Sequence, residues 1–152
     1  MIGRRDSSQT HAATSKSTAE DFTARGAAML PGLLGIKIVA VSPGHVEAQL
    51  PVRPELMAPN GYLHAASIIA LADTACGFGA IATLPPAATG FTTIELKSNF
   101  AGTVRDGIIA CDATLLHGGR TTQVWDARVT DTVSEKVIAF FRCTQLVLYF
   151  ES

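Results

Sequence analysis

The stretch NGYLHAASIIALADTACGFGA, residues 60 to 80, constrains this chain most: it is small and apolar almost throughout, yet carries Asp73 at its middle. Only a helix suits its length. Ala65, Ala66, Ser67, Ala70, Ala72, Ala75, Gly77 and Gly79 surround Ile68, Ile69 and Leu71 without a clean polar face. A helix apolar all round is expected to be buried all round. An ionised carboxylate in such a place costs several kcal/mol unless something compensates it, so Asp73 needs a chemical reason. A membrane span is rejected, because bulky aliphatics are few and Asp73 near the centre carries a penalty of roughly 3 kcal/mol.

Strand patterns flank the helix. GIKIVAV and HVEAQLPV alternate around SPG as a hairpin, with Val46, Ala48 and Leu50 facing one way and Glu47 and Gln49 the other. After PPAATG come four more strands. FTTIELKSNF sets Ile94 and Leu96 opposite Glu95 and Lys97, and GIIACDATLLH and TTQVWDARVT flank a Gly118-Gly119 turn. KVIAFFRCTQLVLYF is apolar on both faces. Upstream, Asp21 to Leu30 can form a short helix that Pro31-Gly32 would end. The order predicts an α+β fold in which a curved antiparallel sheet of about six strands wraps one long central helix.

The 152 residues suit one domain, residues 21–152, behind a Ser/Thr/Ala-rich lead over residues 1–20 that is expected to be disordered. The lead lacks the apolar segment of a secretory signal. A net charge of −1 gives no basic footprint for nucleic acid. Hydrophobic residues at 47% against 16% charged point to surplus apolar surface for a subunit interface. Cys76, Cys111 and Cys143 have no paired spacing and read as buried thiols of a reducing cytoplasm. His11, His45, His64 and His117 show no ligand spacing, so no metal is expected.

GYLHAASIIALADTACG, TTIELKSNF and GGRTTQVWDARV resemble the hotdog-fold acyl-CoA thioesterases of the phenylacetate-pathway (PaaI-like) type, over roughly residues 30 to 149. The resemblance implies hydrolysis of an acyl-CoA thioester, with coenzyme A part of the substrate and no further cofactor. It sets His64 on the family's helix-opening histidine, with Ala65-Ala66 where two glycines usually stand, and Asp73 on the catalytic carboxylate, acting as base or nucleophile. A backbone N–H just after the histidine, here that of Ala65, would polarise the thioester carbonyl. Thr92 or Thr93 would assist from the next strand. The loop asparagine of the family falls on Ala58, with Asn60 and Gly61 the nearest loop candidates for substrate contact. Lys97, Arg105 and Arg120 are candidates for the phosphates of coenzyme A.

Helix geometry then constrains the site. A helix start offers unpaired N–H groups and the positive end of the dipole. Ala65 and Asp73 are eight residues apart, about 12 Å along an axis rising ~1.5 Å per residue. Both cannot reach one carbonyl carbon from one chain. The expectation is therefore a homodimer, or a dimer of dimers, with antiparallel central helices and each site shared across the interface. Three other motifs carry no chemistry here. Cys76 has no cationic partner and lies about 18 Å from His64 along the helix. HGG at 117–119 matches the family's tripeptide but sits between two strands as a hairpin turn. GFG at 77–79 lies inside the helix without a preceding strand, so it is no dinucleotide loop. An acyl-thioester dehydratase or hydratase, or a non-catalytic acyl-CoA-binding module, are the alternative functions.

Overall fold

The computed structural model describes residues 16–150. In chain order the elements are α1 (Ala19–Gly26), α2 (Leu30–Leu34), β1 (Lys37–Ser42), β2 (His45–Pro51), α3 (Ala65–Ala82), β3 (Gly90–Phe100), β4 (Ile108–Gly118), β5 (Thr122–Asp131) and β6 (Val137–Leu148). The strands form one antiparallel sheet in the order β1-β2-β4-β5-β6-β3, and α3 packs against all six. This is the curved six-stranded arrangement around a central helix that the sequence predicts.

Small residues set how close the helix lies. Val46, Ala48 and Leu50 of β2 turn inward with Ile109, Trp125 and Val129, and they meet Leu71, Ala72, Ala75 and Cys76 of α3. A methyl group at Gly79 would overlap the Trp125 ring, and one at Gly77 would come within 3.1 Å of Phe91. The glycines are thus where the sheet touches the helix backbone. The β1–β2 turn runs through Gly44, whose φ of +75° is a conformation that favours glycine.

The amino-terminal helix departs from expectation. It begins at Ala19, because Thr18 and Asp21 form a reciprocal capping box, and it ends at Gly26. Pro31-Gly32 does not end it. Pro31 lies in the first turn of α2 instead, where a missing N–H costs nothing, and Gly35 at φ +86° closes that helix. Thr18 to Glu20 therefore belong to a capped helix, and residues 1–15 of the expected lead lie outside the described residues.

Two further expectations are corrected. The central helix is not buried all round: Ala66 is exposed, and Ile69, Ala70, Asp73 and Thr74 are only half-buried. At positions i, i+3, i+4, i+7 and i+8 these five form one stripe along α3. On β3, Ile94 and Leu96 are exposed along with Glu95 and Lys97. The strand ends the sheet, pairing with β6 on one side, and its register slips between Thr93 and Glu95. An alternating pattern assumes that one face finds cover, and in a single chain this edge finds none.

Candidate active site

The loop before α3 is tied down from several directions. The His64 and Leu63 N–H groups donate to Leu56 O at 3.1 Å and Thr103 Oγ1 at 3.1 Å, and the Ser67 hydroxyl donates to Leu56 O at 2.8 Å. His64 itself is the helix cap. Its Nδ1 accepts from the Ala66 N–H at 3.0 Å, and its carbonyl accepts from Ser67. Ala65, as the first helical residue, has no carbonyl one turn back to bond. Its N–H has no hydrogen-bond partner among the described residues, and the residue lines a cavity of about 560 Å³ with Asn60, Tyr62, His64, Phe100 and Thr103. Asn60 Oδ1 accepts from the Tyr62 N–H at 3.2 Å, which shapes the loop, and Gly61 turns it with φ +83°. Ala58, the position of the family's asparagine, also lines the cavity.

Asp73 lies two turns further along α3, on the half-open stripe and outside that cavity. Burial raises its carboxyl pKa above the usual range, and a hydrogen bond from Thr93 partly offsets the rise. The Thr93 hydroxyl stands 3.3 Å from Asp73 Oδ1 and 2.8 Å from Gln145 Oε1. Of the two threonines anticipated on β3, Thr93 meets the carboxylate; Thr92 is exposed and pairs with Leu146.

Cys76 is buried on the same helix. Its thiol pKa is pushed well above the ordinary value by a hydrogen bond to Cys143, by burial and by nearby negative charge including that of Asp73. A thiol held protonated in this way is no nucleophile. His117 falls within the last residues of β4, on the exposed sheet surface. Arg120 is exposed in the β4–β5 loop, at the end of the sheet where Gln123 bonds Thr83 beyond the carboxyl end of α3. It is therefore remote from Ala65 of its own chain. Lys97 lies on the outer sheet face with Arg128 and Arg142, and Arg105 is in the exposed loop after β3.

Sequence reasoning missed Gln145. Alternation along β6 turns Phe141, Cys143, Gln145 and Val147 inward, so an amide in an otherwise apolar register was the available signal. It also missed that His45, Glu47 and Asp112 come together on β2 and β4, with ligand atoms within 4.8 Å of one another. Glu47 and Asp112 are cross-strand partners, a relationship that spacing along the chain does not display.

The arrangement supplies an unpaired amide at a helix start and a poised carboxylate on the same helix, which are the parts that acyl transfer needs. Comparison with known proteins agrees with this. Residues 60–138 match the model of the thioesterase superfamily, and the chain belongs to that family. It is 34% identical over 111 residues to the 1,4-dihydroxy-2-naphthoyl-CoA hydrolase of Listeria monocytogenes, covering 73% of this chain and 89% of that protein. Among solved structures it resembles a mutant thioesterase of Pseudomonas aeruginosa (TM-score 0.84, 26% identity, 90% of this chain and 98% of the other). A thioesterase of Haemophilus influenzae is similar to a comparable degree (TM-score 0.82, 26% identity, 90% and 94%). The chain is a thioester hydrolase with the hotdog fold.

Proposed function

We propose that this enzyme hydrolyses an acyl-CoA thioester to the free acid and coenzyme A, at a site completed by a second copy of the chain. One observation carries this reading: the open Ala65 amide and Asp73 occupy separate places on one helix, too far apart to serve one carbonyl. Asp73 of one copy acts as base or nucleophile, while the Ala65 N–H of the other copy holds the oxygen that becomes negative as the carbonyl is attacked. As base, Asp73 takes a proton from the attacking water; as nucleophile, it forms an anhydride that water then cleaves. In either route collapse of the intermediate breaks the carbon–sulfur bond and the thiolate leaves, to be protonated as coenzyme A. His64 serves by fixing the helix start. Asn60 and Gly61 shape the loop around the acyl carbonyl, and Thr93 touches the carboxylate whereas Thr92, on the exposed face of β3, does not. Arg120, exposed beyond the carboxyl end of α3, is assigned to the coenzyme A phosphates.

Self-association also accounts for surface that one chain leaves uncovered. The half-open stripe of α3 and the eleven-residue edge strand β3, with Ile94, Leu96 and Phe100 exposed, would both be sealed by a second copy. The reading places the enzyme in the cytoplasm and requires no metal or other cofactor.

Release of free thiol from a panel of acyl-CoAs, followed with a thiol dye, tests the reaction. The panel begins with aromatic acyl groups, since the Listeria relative is named for one. Thiol release in the presence of a chelator is the expected result. Saturable binding without thiol would make the chain a binding module, and water addition to an unsaturated acyl chain would make it a hydratase.

A further inference from the structure

Thr93 has one hydroxyl proton and two oxygens competing for it. Gln145 Oε1 lies at 2.8 Å and Asp73 Oδ1 at 3.3 Å, so the shorter contact takes the larger share of the proton. Gln145 is fully buried on β6, and its amide nitrogen lies 3.4 Å from Cys143 Sγ. The amide thus lies with its nitrogen on Cys143 and its oxygen toward Thr93. The network is fully paired in one protonation state: with a proton on Asp73, the carboxyl donates to Thr93 Oγ1 and Thr93 donates to Gln145. When Asp73 is ionised, its carboxylate and the Gln145 oxygen contend for one hydrogen.

We infer that Gln145 is a positioning residue that draws the Thr93 proton away from Asp73 and so keeps the carboxylate a strong proton acceptor. The inference rests on the reading of Asp73 as the catalytic carboxylate, and names the residue that sets its basicity. A buried amide is otherwise a costly choice at a position flanked inward by Cys143 and Val147. The other groups facing this cluster do not supply the effect. Cys76 on α3 and Cys143 on β6 are the neighbouring titratable side chains, the Cys76 thiol being held protonated, and neither carries a positive charge. No charged side chain enters the causes acting on Asp73, which are burial and Thr93.

The test reads the titration of Asp73 itself, by carbon-13 NMR of protein labelled at the aspartate carboxyl carbon, with Asp73→Asn giving the assignment. This readout needs no turnover, so it stands or fails separately from the thioesterase reading. Gln145→Leu removes the competing acceptor, lets Thr93 donate to Asp73, and should lower the titration midpoint by about half a pH unit or more. Gln145→Met serves if the leucine variant does not fold. Thr93→Val should raise the midpoint, by less than Gln145→Leu lowers it, because the wild-type carboxylate receives only the longer of the two Thr93 contacts. In Thr93→Val/Gln145→Leu the glutamine substitution should add nothing, and the acid limb of kcat/KM for benzoyl-CoA should follow the same order. A midpoint that Gln145→Leu leaves in place, or that Thr93→Val raises by more than Gln145→Leu lowers it, overturns the inference.

Discussion

The Thr93 hydroxyl on edge strand β3 stands 3.3 Å from Asp73 Oδ1 on the central helix, and this hydrogen bond is the one that lowers the pKa of a carboxyl raised by burial. The pair joins the element that the sequence marks most clearly to the strand that a single chain leaves least covered. On the proposed reading, the carboxylate and the surface that a second copy would cover are therefore neighbours.

Asp73→Asn is expected to reduce thiol release at least ~100-fold, the low end for loss of a general base. Folding should survive, and the sign follows from the raised pKa. A folded-state pKa above the unfolded one adds stability below the unfolded value of about 3.9. That stability is lost as pH climbs through the folded value. At neutral pH the ionised side chain is thus a cost, so the asparagine variant should melt at or above the wild-type temperature. Unchanged turnover would make Asp73 structural.

The wild-type acid limb of kcat/KM should lie above the pH range of an ordinary carboxylate, because the free enzyme must lose the Asp73 proton and burial holds it. A pH–rate profile with its lower limb at or below the model aspartate value would assign the limb to another group.

Gly79→Ala is expected to destabilise the protein by about 1–3 kcal/mol, since the added methyl meets the Trp125 ring on the fully buried side of α3. Thermal melting checks this, and an unchanged Tm would mean that the helix shifts freely against β5.

His117→Ala should leave turnover within about threefold, because His117 ends β4 on an exposed surface. A loss matching that of Asp73→Asn would move the oxyanion site to the literal HGG.

Mixing two inactive variants tests the shared site. Ala65→Pro removes the amide donor at the first helical position, where proline suits the backbone, and Asp73→Asn removes the carboxylate. In a heterodimer one site combines Asp73 of the proline chain with the Ala65 amide of the other, and both are intact. Random co-refolding makes roughly half the dimers mixed, each with one good site of two, so about a quarter of wild-type activity should return. Melting temperatures of the two homodimers verify that each folds. If both fold and dimerise while the mixture stays inactive, the two groups do not act together.

The sequence by itself determined what depends on neighbours along the chain. The length and small residues of 65–82 required a helix, and alternation with SPG and Gly118-Gly119 between the runs required the two hairpins (although Gly118 itself ends β4). A spacing of eight positions from Ala65 to Asp73 already separated the two chemical groups. His64 as a cap was equally legible, since a cap bonds within its own turn. Tertiary structure alone decided which threonine reaches Asp73, because that depends on how β3 lies on α3. It also brought Gln145 to the same hydroxyl through the pairing of Thr93 with residue 145 across β3 and β6, fifty-two positions apart in the chain. The exposed stripe on α3 belongs there too. Periodicity reports how apolar a helix is, whereas its cover depends on how far a curved sheet can wrap, and here one chain's sheet ends with β3 beside Asp73 and leaves the stripe half open.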